Sequence, residues 1–103
     1  MFIVSLSYIA PLEEIDAQLE HHVHWLKQGY ADGLFLASGR KEPRTGGIIL
    51  AQGQRHTLQQ YLQQDPFALA GLARYDITEF TPSMSASGLE LLLQPVNNTE
   101  SAL

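Results

Sequence analysis

The sequence predicts one small α+β domain with a four-stranded antiparallel sheet. Three observations carry that reading. The 103 residues leave room for one core. Segments of strand character alternate with two stretches of helical periodicity in the order β-α-β-β-α-β, and glycine or proline marks almost every junction between them.

Phe2 to Ile9 is rich in β-branched and aromatic types and reads as a first strand. Pro11 suits the first turn of a helix, and Glu13, Glu14 and Asp16 set negative charge near its positive end. Leu12, Ile15, Leu19, Val23, Leu26 and Tyr30 recur at spacings of three and four, which predicts a core-facing stripe along that helix. Asp32-Gly33 ends it, with Gly33 free to take the left-handed cap conformation. Leu34 to Ser38 is a short second strand, followed by a polar loop, RKEPRTGG, and a third strand from Ile48 to Ala51. Beyond the Gly53 turn, Leu58, Tyr61 and Leu62 mark a second helix. Asp65 as N-cap and Pro66 at N1 restart a helical turn through Phe67 to Leu72. Ala73 to Phe80 alternates as a fourth strand, Pro82-Ser83 breaks it, and Gly88 to Leu93 is expected to be a short extra strand. The domain is placed at residues 1–94, with a flexible tail over 95–103. This order is the ferredoxin-like split β-α-β, whose two helices cover one face of the sheet. The other face carries few charges apart from the last strand, so a second copy of the chain is its expected cover.

Composition narrows the function. A net charge of −5 argues against nucleic acid as a partner, because phosphates need a basic patch. The absence of cysteine removes disulfides, thiolate metal sites and cysteine nucleophiles, and fits a cytoplasmic protein. The apolar N-terminal run has no basic residue before it and is far too short to span a bilayer, so no membrane association is expected. Arg40, Lys41 and Arg44 form one local basic cluster, either a solvated loop or a contact for a small anion.

Three segments, HHVHWL, GLFLASGRKEPRTGGIILA and DPFALAGLARYDITEFTP, together resemble the YCII-related family of dimeric α+β barrel proteins over about residues 1 to 82. The resemblance implies two subunits packing sheet to sheet as a homodimer, a pocket in each, and an active site built on a histidine and an aspartate at the positions of His22 and Asp65. A few relatives look like small-molecule lyases that act on aromatic-derived substrates, so the resemblance implies that chemistry as one expectation. Arg40 departs from the family pattern, which has proline after the glycine of the second strand in many members.

The residues themselves admit two readings each. His22 lies at the edge of the apolar stripe, one turn from both Leu19 and Leu26, where a partly desolvated imidazole stays neutral and serves as a general base. The same position suits a histidine satisfied by a single structural hydrogen bond. Asp65 either caps its helix or also orients His22, and its two oxygens permit both. Ser38 is a pocket donor or an ordinary strand-end serine. His21 and His24 have helical metal-ligand spacing but no third ligand to complete a site, so no metal is expected. Trp25 and Tyr30 are expected to pack, and Trp25, off the predicted stripe, is also placed to contribute to an interface. The functional expectation is a cofactor-free lyase or isomerase acting on a small carbonyl-bearing or aromatic-derived molecule. In it His22 is acid/base, Asp65 orients it, and Ser38, Arg40 and Arg44 contact substrate. The alternative is a non-catalytic dimer that binds a small ligand or regulates.

Overall fold

A computed structural model describes residues 1–93. The chain runs β1 (Phe2–Tyr8), α1 (Leu12–Ala31), β2 (Phe35–Arg40), β3 (Gly46–Ala51), α2 (Arg55–Leu62), α3 (Pro66–Leu69) and β4 (Ala73–Glu79), then a 3-10 turn at Glu90–Leu93. The four strands form one sheet in the order β2-β3-β1-β4, with every neighbouring pair antiparallel. This is the ferredoxin-like arrangement.

Local chemistry sets the boundaries. Pro11 is the N-cap of α1 with an extended backbone, so the helix proper begins at Leu12, with Glu13 and Glu14 in the first turn. Gly33 closes it at a φ of 76°, a conformation that a Cβ disfavours. Asp65 caps α3 by accepting the Phe67 N–H, and Pro66 takes N1. The second strand runs two residues past the expected Ser38, and the third opens at Gly46 rather than Ile48. The expected strand over Gly88–Leu93 is not formed: Gly88 turns at a φ of 93°, and Glu90–Leu93 coil as a 3-10 turn outside the four-stranded sheet. The expected tail over 95–103 lies outside the described residues.

The register of the sheet fixes what each face presents. Phe2, Val4 and Leu6 of β1 lie level with Ile49 and Ala51 of β3 and with Tyr75 and Ile77 of β4, all under the helices. They form the main core with Trp25, Phe35, Leu58 and Leu62. Each such side chain contributes about 1.5–3 kcal/mol when fully buried. A smaller cluster of Ile15, Phe67 and Leu72 fills the other end. An irregularity between Phe35 and Ala37 shifts β2 by one residue against β3. Such a bulge re-aims side chains. It leaves Phe35, Ser38 and Arg40 all level with helix-side partners, Ala51, Ile49 and Gly47.

The buried stripe of α1 is rotated from the predicted one. Ile15, His22, Trp25 and Gly29 are its buried members, whereas Leu12, Val23 and Tyr30 are exposed. Gly29 explains the rotation. A Cβ there would collide with the Phe35 ring, so the helix lies closest to the sheet along a line that has no large apolar residue at that point. Trp25 therefore packs within the core, as expected of it, although it lies off the predicted stripe. Its indole N–H donates to the Tyr61 carbonyl at 3.1 Å, and the Tyr61 hydroxyl donates back to the Trp25 carbonyl at 2.6 Å.

The open face of the sheet is mixed rather than uniformly apolar. Ile3, Ile48 and Leu50 occupy its middle, but Ser5 and Ser7 interrupt β1, and Arg74 and Asp76 pair at 3.7 Å on β4. Among the described residues, no helix is long and apolar enough to cross a membrane.

Candidate active site

Two elements that lie far apart in the sequence meet at the middle of α1. The helix presents His22 inward, and the start of α3 presents Asp65, which has no solvent exposure. His22 Nδ1 and Asp65 Oδ1 are 2.8 Å apart. The same oxygen accepts the Phe67 N–H at 3.1 Å, and Oδ2 accepts the Tyr75 hydroxyl at 2.5 Å. A carboxylate is costly to bury unless it is hydrogen-bonded, and here three donors reach it, so that each oxygen has at least one. A carboxylate only accepts, so Nδ1 is the ring nitrogen that carries hydrogen. Nε2 keeps its lone pair.

The imidazole is held as firmly in its plane. Its ring stacks on Phe67 at a centroid distance of 4.0 Å and an angle of 9°, with Trp25 beyond its other edge at 5.6 Å. Phe67 therefore acts twice, once through its ring and once through its N–H. Burial pushes the pKa of the Tyr75 phenol far above its ordinary value, and the hydrogen bond to Asp65 and the charge of that group add to the rise. It remains a donor throughout the accessible pH range.

His22 also forms part of the wall of a cavity of about 160 Å³ between α1 and the β1–β3–β2 side of the sheet. Tyr8, Leu19 and Leu26 give it apolar walls, and Ser38 and Arg40 are at its β2 side. The bulge in β2 is what turns Ser38 this way, and its hydroxyl lies 2.6 Å from that of Tyr30. Arg40 forms no ion pair among the described residues. Arg44 is placed otherwise. It does not line the cavity, and its guanidinium donates to Asp16 at 2.5 Å.

The structure thus brings together four of the five residues singled out in the sequence, His22, Asp65, Ser38 and Arg40, and diverts Arg44. It adds Tyr75 and Phe67, which the sequence offered only as apolar members of a strand and a helical turn. Tyr75 had one readable signal: a phenol on the helix-facing alternation of its strand needs a partner for its hydroxyl. His21 and His24 are exposed on α1, and no group of three or more His, Cys, Asp or Glu gathers among the described residues.

Comparison with known proteins gives a family and a fold. The YCII-related domain matches residues 1–81. A solved structure of 5-chloro-2-hydroxyhydroquinone dehydrochlorinase from Burkholderia phenoliruptrix AC1100, in complex with 2,5-dihydroxybenzoquinone, superposes with a TM-score of 0.67. The likeness covers 81% of this chain and 96% of that one at 16% identity, which makes it a likeness of fold. No curated protein matches the sequence.

Proposed function

This chain belongs to the YCII-related domain family, and from that membership and the surroundings of His22 we propose that it is a small-molecule enzyme of the lyase or isomerase type, in which His22 and Asp65 move a proton. One observation carries the reading. His22 is tied through Nδ1 to a fully buried carboxylate at 2.8 Å while its ring forms part of a cavity wall. A surface or purely structural histidine needs neither feature.

In this reading Nε2 takes a proton from a carbon beside a carbonyl or from a ring hydroxyl, and Asp65 stabilises the imidazolium that forms. The proton then returns to a different carbon, or a leaving group departs with its electron pair. Neither outcome needs an oxidant or a cofactor. The Ser38 hydroxyl, 2.6 Å from that of Tyr30, meets the developing oxyanion, and Arg40 meets the acidic group of the substrate. Arg44, engaged by Asp16, supports this loop rather than the ligand. A cavity of about 160 Å³ is close to the roughly 150 Å³ that accommodates benzene in an engineered protein core. The substrate is therefore a single ring or a short chain. The dehydrochlorinase of similar fold is named for a chlorinated hydroxyhydroquinone, which makes halogenated hydroquinones and hydroxyquinones the first compounds to try.

The proposal includes a homodimer, with the mixed open face of the sheet covered by a second copy. Ile3 and Ile48, each over a third exposed, support it. Sedimentation of a monomer at micromolar concentration would remove that part. The rival reading, a binding protein without turnover, draws on Asp65 being saturated by three hydrogen bonds. A thermal-shift screen of hydroxyquinones and small carboxylates, followed by turnover assays on the binders, separates the two. The enzyme reading expects turnover that His22→Ala abolishes while binding persists. Binding without turnover, or turnover that survives His22→Ala, would falsify it.

A further inference from the structure

We propose that Tyr75 is a positioning residue of this site: through its bond to Oδ2 it holds the Asp65 carboxylate in the rotation that presents Oδ1 to His22, and so fixes the imidazole tautomer. The inference rests on the reading of His22 as the group that reacts, but its test does not depend on turnover.

The argument begins with the freedom of a carboxylate. The last torsion of aspartate is broad, so a single contact does not set the plane of its oxygens. Here three contacts come from three elements: His22 on α1, the Phe67 N–H on α3, and Tyr75 on β4. The first two share Oδ1. Tyr75 alone engages Oδ2, and the full burial of Asp65 leaves no solvent to replace it. Without the phenol, Oδ2 becomes a buried acceptor with no donor, and the carboxylate turns to share its remaining donors between two oxygens. His22 then loses a fixed acceptor at Nδ1, and the Nε2–H tautomer, in which Nε2 has no free lone pair, becomes populated.

Tyr75 is placed for this by the register of the sheet. It lies opposite Leu6 of β1 on the helix-facing side, where its ring packs against the main core and its hydroxyl reaches the start of α3. Its strongly raised pKa, due first to burial, keeps it a donor at any pH at which the protein is folded. The hydroxyls of Tyr30 and Tyr61 bond elsewhere, to Ser38 and to the Trp25 carbonyl.

The test reads the ring nitrogens of His22 directly, by nitrogen-15 NMR of the full-length protein at pH 8. The wild type is expected to show the pure Nδ1–H pattern. Tyr75→Phe is expected to move the ring shifts towards a mixture of tautomers while the amide spectrum of the sheet is retained. Should Tyr75→Phe fail to fold, replacing all four tyrosines by 3-fluorotyrosine alters the donor strength of the hydroxyl with little change in shape. A displaced His22 Nδ1 signal then supports the proposal. Ring shifts identical to those of the wild type, in whichever of the two proteins is measured, overturn it, because a tyrosine that only packs leaves the imidazole untouched. Failure here leaves the enzyme reading standing if His22→Ala abolishes turnover. Conversely, a protein without turnover can still pass this test.

Discussion

Two buried polar clasps sit one turn apart on α1, and they are built differently. At Trp25 the partners are neutral: the indole and the Tyr61 phenol exchange hydrogen bonds with each other's backbone carbonyls, and their rings stack at 4.9 Å. At His22 the centre is an ion, and every contact converges on the two oxygens of Asp65. The first arrangement joins α1 to α2 with groups that titrate far from neutrality. The second joins α1, α3 and β4 through a carboxylate whose burial is tolerated only because three donors surround it. A structural joint has no need of a buried charge, so the contrast supports the proposal that His22 handles a proton.

The comparison is broken most directly at Asp65. Asp65→Ala strands the Tyr75 hydroxyl, the Phe67 N–H and His22 Nδ1 at once, and should cost about 3–5 kcal/mol, the usual penalty for removing one partner of a buried pair. Against a total of about 5–15 kcal/mol for a domain of this size, that is enough to bring the protein close to unfolding. Urea denaturation monitored by Trp25 fluorescence measures it. A loss under about 1 kcal/mol would mean that the carboxylate is not buried and shared as described.

The two tyrosines give a finer comparison. Tyr75→Phe leaves Oδ2 of a buried ion without a donor and should cost about 1–3 kcal/mol. Tyr61→Phe removes a hydroxyl from a backbone carbonyl and should cost about 0.5–1.5 kcal/mol. If Tyr61→Phe proves the more damaging in the same denaturation series, the two clasps do not differ in the way argued here.

Alkaline titration separates them again. Both phenols are pushed above the ordinary tyrosine value of 10.0, chiefly by burial, so the folded protein keeps protons that the unfolded chain releases. The unfolded state then binds fewer protons, so stability is full below pH 10 and falls as the pH rises beyond it. Each retained proton sets a slope of about 1.4 kcal/mol per pH unit. Tyr75 is the more deeply placed, so Tyr75→Phe should flatten the wild-type decline between pH 10 and 11.5 more than Tyr61→Phe does. Parallel declines in wild type and Tyr75→Phe would count against the buried donor.

Most of the fold, and less of this contrast, was legible in the sequence. The junctions could be read because each depends on one or two adjacent residues: Asp32-Gly33, Gly53 and Asp65-Pro66 act through local backbone preference. The stripe of α1 could not. Counting Leu12, Val23 and Tyr30 as core members assumes that burial follows side-chain type, whereas the line of closest approach is set by Gly29 against Phe35 and by His22 against Asp65, both contacts made only in the tertiary structure. His22 and Asp65 are 43 positions apart, and their pairing was suggested by family resemblance, not by spacing. Tyr75 and Phe67 escaped because an aromatic residue in an alternating strand or helical turn reads as packing. The segment GLELLL read as strand by its apolar content, but Gly88 turns the chain at a φ of 93° and ELLL coils as a 3-10 turn.

The smallest effect belongs to the exposed pair at the rim, and it sharpens the contrast from outside the core. Asp16 accepts a hydrogen bond from Arg44, which together with the charges of Arg44 and Arg40 holds its carboxyl below the ordinary value of 3.8. A lowered carboxyl contributes stability that is present at neutral pH and lost as the pH falls below that value, but solvent screens an exposed pair. Asp16→Asn should therefore change the denaturation midpoint at pH 7 hardly at all. Its expected effect is on ligand binding: with the carboxylate gone, the positive charge of Arg40 and Arg44 is no longer offset beside the cavity, and a small anion should bind more tightly at low salt. The gain should fade as the ionic strength rises to about 1 M, where charges more than roughly 3 Å apart are screened. Unchanged anion affinity in Asp16→Asn, measured calorimetrically at both salt concentrations, would show that these arginines do not act on the cavity.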